Sequence, residues 1–134
     1  MITVSYDQWQ GNRDVGRSFE ITNKETDRIW EILDRLNGKI HTQILIKNIE
    51  NALLIGGGNN NLYVCTLMQG NESSHNLINK KYLNENEEVE IVTGGQAGLF
   101  PRKLVNEIDQ TREAIRYFIE FNKMNPNLIW EKEY

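Results

Sequence analysis

Hydrophobic and polar residues alternate at the start of the chain, where Ile2, Val4 and Tyr6 are separated by Thr3 and Ser5. A period of two puts one set of side chains on one face, which predicts a half-buried strand. The polar stretch from Asp7 to Arg17 carries Gly11 and Gly16 and reads as a loop or irregular hairpin leading to Phe19 and Ile21. At Thr22 the period changes. Thr22 and Glu25 have the spacing of a capping box, and Ile29, Ile32, Leu33 and Leu36 then recur on one helical face. Glu31 and Arg35 stand four apart in the favourable order, and Asn37-Gly38 supplies a left-handed stop.

The middle of the chain returns to strands: Ile44-Leu45-Ile46, Leu53-Leu54-Ile55 and Leu62 to Leu67, separated by asparagine and glycine clusters. Such short connections favour antiparallel pairing. A looser polar segment from Gly70 to Lys81 precedes Glu88-Val89-Glu90-Ile91-Val92, whose alternation sets Val89 and Ile91 against the two glutamates. A second helix is predicted from about Gln110 to Lys123, capped by Asp109, with Ala114, Ile115, Phe118 and Ile119 inward. Pro126 blocks its continuation, and Leu128-Ile129-Trp130 reads as a short closing strand. Strand, helix, several strands, helix, strand is not an alternating βαβ order. It predicts an α+β fold, an antiparallel or mixed β-sheet with two main helices packed against it.

Length makes this one domain, since 134 residues suit a single core. Hydrophobic residues at 39% and charged residues at 25% are those of a folded globular chain. The first residues have no basic region followed by an apolar run, and no stretch approaches a membrane span, so a cytoplasmic protein without membrane contact is expected. Cys65 is the only cysteine, which excludes an intrachain disulfide and a cysteine-rich zinc site. The formal net charge of -4 repels phosphate backbones, so direct nucleic-acid binding is disfavoured and a basic protein partner is compatible.

Candidate chemistry is sparse. Gly56-Gly57-Gly58 followed by three asparagines suggests a phosphate cradle only weakly, because no Lys-Ser or Lys-Thr follows and the chain enters a strand. A hairpin turn is the better reading. Gly94-Gly95-Gln96 coincides with the tripeptide that peptide-chain release factors use at the ribosome, which makes peptidyl-tRNA hydrolysis the competing enzymatic reading. Against it stand the acidic composition and the simpler role of a glycine-permitted bend, with Pro101 fixing the exit. Cys65 would need His41 or His75 nearby to act as a nucleophile. Neither lies in a catalytic motif, so an inert buried thiol and two surface histidines are expected. The three residues also lack ligand spacing, so no metal and no cofactor is implied.

Glu85, Glu87, Glu88 and Glu90 form the densest acidic run, with no base among them. They suit a lysine- or arginine-lined cleft, with a solvated loop and strand edge as the competing reading. Trp30 flanks an apolar helical stripe and Trp130 ends a strand, whereas Trp9 lies among polar residues. Trp9 is therefore the candidate exposed aromatic anchor.

Val92-Thr93-Gly94-Gly95-Gln96-Ala97-Gly98-Leu99-Phe100-Pro101, then Glu113-Ala114 and Phe118 on a helix, then Pro126 and Ile129-Trp130-Glu131, resemble a known pattern. The chain is similar to the Imm-one family, the first-numbered immunity family of bacterial polymorphic toxin and contact-dependent inhibition systems. The likeness is densest over the last third, and Gly56-Gly57-Gly58 between two strands fits the family's glycine-rich hairpin. It implies that Gly94, Gly95, Gln96, Pro101 and Trp130 define a scaffold and that no residue is catalytic. The implied partner is a cognate toxin domain, often a nuclease or nucleic-acid deaminase carried at the end of a large secreted protein, neutralised by occlusion.

Overall fold

The computed structural model describes residues 1–133. Eleven strands and two helices follow one another as β1 (Ile2–Tyr6), β2 (Trp9–Gln10), β3 (Arg13–Asp14), β4 (Arg17–Ile21), α1 (Asp27–Arg35), β5 (Gln43–Asn48), β6 (Asn51–Gly57), β7 (Tyr63–Gln69), β8 (Ser73–Ile78), β9 (Glu88–Thr93), β10 (Gln96–Pro101), α2 (Ile108–Phe121) and β11 (Ile129–Lys132). Seven strands pair in the order β11-β8-β7-β6-β5-β1-β4, and every pair is antiparallel. The fold is α+β, as the alternation of periods predicts. Among the described residues no helix is long and apolar enough to cross a membrane.

Register explains which side of the sheet is dry. Val4 lies opposite Ile46, Ile46 opposite Leu53, and Leu53 opposite Leu67, so one row of branched side chains crosses four strands on the same face. All four are at most 1% exposed. Ile29 and Leu33 of α1 and Ala114, Ile115 and Phe118 of α2 cover that row and close the core. Neighbouring strands of this kind are held by cross-strand packing as much as by the ladder itself. The opposite face carries Ser5, Leu45, Leu54 and Thr66 in one row, half-buried and more polar.

Both helix starts differ from expectation. Thr22 and Glu25 close a turn one residue short of the N-cap: Glu25 Oε1 accepts from Thr22 N–H at 3.1 Å, and α1 begins after Thr26. In α2 the cap is Glu107, not Asp109. Glu107 and Gln110 form a reciprocal capping box, leaving Asp109 in the first turn. The helix ends at Phe121 because Asn122 takes a left-handed conformation at φ 56°.

The segment from Gly70 to Lys81, read as a loose connection, contains β8. Its polarity hides it, since of its six residues only Leu77 and Ile78 are apolar. Hydrogen bonds take the place of hydrophobic alternation: Thr66 Oγ1 meets Asn76 Oδ1 at 2.7 Å, and Ser74 Oγ meets Glu133 Oε2 at 3.3 Å. The strand is legible only once β7 and β11 flank it.

Candidate functional site

β9 and β10 stand apart from the main sheet as a hairpin of their own. Thr93 pairs with Gln96, so the loop is the two residues Gly94 and Gly95, at φ 62° and 77°. Two positive φ values in succession define the turn whose twist matches that of the strands it joins, and glycine adopts them without steric cost.

The hairpin lies across the half-buried face of the sheet at the Gly56 end. A Cβ on Gly56 would overlap Thr93, and one on Gly57 would stand 3.0 Å from Ile91 Cγ2. Ile91 is fully buried there, and Thr93 Oγ1 donates to Gln43 Oε1 at 3.3 Å. The Gly56-Gly57-Gly58 triplet is thus a seat for a third layer. Positive φ at Gly57 and Gly58 also turns the chain towards β7, as expected of a hairpin connection.

Three further attachments fix the hairpin. At the tip, Gly95 N–H donates to Thr42 Oγ1 at 3.0 Å and Gly95 lies on the Trp9 indole, where a Cβ would overlap the ring. Beneath the tip, Asp7 is 3% exposed and accepts from Thr42 N–H at 2.7 Å, Gln43 N–H at 2.9 Å, Trp9 Nε1 at 2.7 Å and the Thr42 hydroxyl. A carboxylate held by that many donors is satisfied in place and orients the indole. Along the side, the Asn59 amide acts as a short strand: Nδ2 donates to Glu90 O at 2.9 Å and Oδ1 accepts from Val92 N–H at 3.2 Å. At the base, Arg102 N–H donates to Glu87 O at 2.8 Å and so closes the hairpin's own ladder, while Asn79 N–H donates to Lys103 O at 2.7 Å and ties that end to the segment after β8.

With Val89, Ile91 and Phe100 turned towards the sheet, the outward row consists of Glu88, Glu90 and Val92 on β9 and Ala97, Leu99 and Pro101 on β10. Leu99 is 66% exposed, opposite Glu90. Glu85 and Glu87 are exposed on the approach to β9, and no lysine or arginine occurs between residues 82 and 101. The result is an apolar strip bordered by carboxylates on a pinned element, which is the composition of a protein-binding surface with an apolar centre and a charged rim.

No family model matches the chain, and neither does any curated protein.

The structure therefore brings Glu88, Glu90 and the Gly94-Gly95 turn onto one element, with Glu85 and Glu87 beside it. Trp9 is a correction. It is half-buried, its ring nitrogen is taken by Asp7 and its face by Gly95, so it buttresses the hairpin instead of projecting as an anchor. Leu99 is the exposed apolar residue here. Gln96 is exposed at the first position of β10, and Pro101 closes that strand. Trp130 sits far along the chain on β11, packs on the core and donates from Nε1 to Asn125 O at 3.1 Å.

Cys65 is buried on β7, and burial pushes its thiol well above the ordinary range, so the thiolate that a nucleophile needs is disfavoured. The two histidines, expected on the surface, are half-buried. His41 Nδ1 lies 2.9 Å from Asp7 O, and the ring of His75 is turned inward with its Nδ1 buried. Among the described residues no hydrogen bond joins either to Cys65, and no group of three His, Cys, Asp or Glu is arranged to hold a metal ion. Sequence reasoning missed Asp7, Thr42 and Asn59. Each is an ordinary polar residue in a polar stretch, and each acquires its role from a partner 31 to 53 positions away.

Proposed function

We propose that this protein is an immunity protein: in the cytoplasm it binds one cognate bacterial toxin domain, a nuclease or nucleic-acid deaminase, and occludes its active or substrate-binding cleft without catalysis of its own. The observation that carries the reading is the outward face of the β9–β10 hairpin, where an exposed Leu99 is set among Glu88 and Glu90 with Glu85 and Glu87 beside them. A domain that acts on nucleic acid presents a basic cleft to phosphates, and a carboxylate-rich face of similar size competes for the same groups.

Rigidity supports the same reading. The tip, side and base of the hairpin are each tied down by hydrogen bonds, so little backbone freedom remains to be lost on association. Exposed carboxylates attract a basic partner over a Debye length and speed encounter, and an apolar anchor at the centre slows release. That combination suits a protein that must capture a toxin before damage occurs. The likeness of the last third to the Imm-one pattern points the same way.

Co-expression with each candidate toxin domain found at this chain's own locus tests the reading. Cells are expected to survive the toxin only with the intact chain. Replacing Glu85, Glu87, Glu88 and Glu90 together by glutamine is expected to slow association several-fold at low salt and to flatten its salt dependence. No protection against any toxin candidate of its own locus would overturn the function, and unchanged association would remove the glutamates from the interface.

A further inference from the structure

We propose that the free edge of β10 is a strand-addition site, to which an extended segment of a partner protein with basic residues at alternate positions adds as the third strand of the hairpin. For the identity of the partner this rests on the function proposed above, while the mode of binding rests on the edge itself.

In an antiparallel pair, main-chain groups point alternately towards the partner strand and away from it. On β9 the outward groups are those of Glu90 and Val92, and the Asn59 amide takes the Glu90 C=O and the Val92 N–H between them. Their cross-strand neighbours are Leu99 and Ala97, whose outward N–H and C=O groups therefore form the other edge of the hairpin. Among the described residues no hydrogen bond reaches them. One edge of the hairpin is capped and the other is open.

Side chains sharpen the contrast. Edge strands in folded proteins are ordinarily guarded by charges that resist pairing with another chain. The edges of the main sheet are guarded in this way: β4 carries Arg17 and Glu20, and β11 carries Glu131 and Lys132, with Glu131 paired to Lys103 at 2.8 Å. Gln96-Ala97-Gly98-Leu99-Phe100-Pro101 has no charge at all. Its one guard is Pro101, opposite Glu88 at the end of the outward row, which leaves Ala97 and Leu99 open.

Charge selects the occupant. An added strand would lie about 4.8 Å beyond β10, and lysine or arginine stems on its outward face would reach over Leu99 to Glu90 and over Pro101 to Glu88. Basic side chains at every second position share that face, so the aliphatic stem of the one opposite Leu99 covers it, and the residues between them point to the other face. A second copy of this chain would bring the same carboxylates towards their own images, which is repulsive. Main-chain bonds supply affinity in strand addition, and the alternating side chains supply the selection.

The test uses an octapeptide of alternating valine and lysine as the probe, titrated into the isotope-labelled protein and followed by amide resonances and amide exchange. The expected result is a saturable shift of the Ala97 and Leu99 amides with slowed exchange, and binding weaker by about tenfold when glutamate replaces lysine in the peptide. Ala97→Pro removes an outward N–H without touching the Ile91–Gly98 pair and should abolish the shifts. Leu99→Lys keeps every main-chain group, guards against a misfolded proline variant, and should weaken binding of the same peptide. Equal binding of the glutamate peptide, shifts confined to β4 or β11, unaltered binding by both variants, or concentration-dependent shifts without peptide would each overturn the proposal. Because the peptide stands in for the partner, such a result removes strand addition and leaves toxin capture by the glutamate face untouched. Failed toxin protection leaves the peptide spectra standing.

Discussion

Two adjacent glycines in the β9–β10 turn should respond very differently to alanine. Gly94 and Gly95 both have positive φ, at 62° and 77°, so a Cβ on either incurs the left-handed penalty of about 1–2 kcal/mol. Beyond that they part. A Cβ on Gly94 would stand 3.3 Å from Gln43 Oε1, the far end of a side chain that can yield. A Cβ on Gly95 would enter the Trp9 indole, which cannot retreat without releasing Asp7. Forcing an added carbon into a packed contact costs roughly 1–3 kcal/mol more. Gly94→Ala should therefore cost about 1–2 kcal/mol and Gly95→Ala about 2–5 kcal/mol, and at this chain length each kcal/mol lowers Tm by about 4 °C. Urea unfolding followed by far-ultraviolet circular dichroism measures both. The contact with the indole is isolated by repeating the pair in a Trp9→Ala background, where the two substitutions should converge on the left-handed penalty alone. Equal losses from Gly94→Ala and Gly95→Ala in the Trp9 protein would refute the idea that the indole pins the tip.

Asp7→Ala leaves Thr42 N–H, Gln43 N–H and Trp9 Nε1 without their acceptor, and should cost about 3 kcal/mol or more together with a red shift in tryptophan emission as the indole loosens. An unshifted spectrum with a loss below about 1 kcal/mol would show that water replaces the carboxylate. Phe118 is fully buried where α2 meets the sheet, and Phe118→Ala should cost about 3–5 kcal/mol, read as a lower urea midpoint with an unchanged slope. Cys65 confers a pH dependence of definite sign. Burial raises its folded value, so above about pH 8.5 the unfolded chain releases a proton that the folded chain keeps. The stabilisation is complete below that pH and is lost as pH rises, at up to about 1.4 kcal/mol per unit. Stability of the wild type should therefore fall more steeply than that of Cys65→Ala between pH 8 and 10, and parallel curves would contradict the burial of the thiol.

Periodicity carried most of the fold. Apolar residues spaced by two in β1 and β9 and by three and four in α1 and α2, with the short apolar runs of β5, β6 and β7 bounded by asparagine and glycine clusters, report local geometry directly, since each side chain's direction follows from its own backbone. The α+β class and the buried sides of both helices were legible for that reason. β8 was not, because its first four residues are polar and hydrogen-bond to β7 and to Glu133, with apolar burial confined to Leu77 and Ile78. The helix starts slipped for a related cause. Thr22, Glu25 and Asp109 have the chemistry of caps, but position along the helix is set by where the chain docks.

The candidate face divides in the same way. Its carboxylates and its turn could be picked out in the linear chain, because charge density and a Gly-Gly pair are properties of neighbours in sequence. That Asp7 turns Trp9 inward, that Asn59 caps one edge of the hairpin while β10 keeps the other open, and that Leu99 is left outside could not be picked out. Each depends on where segments dozens of residues apart come to rest. A contact between distant segments has no local period to announce it, so the tertiary packing alone decides which polar residue becomes a clamp and which apolar residue stays in water.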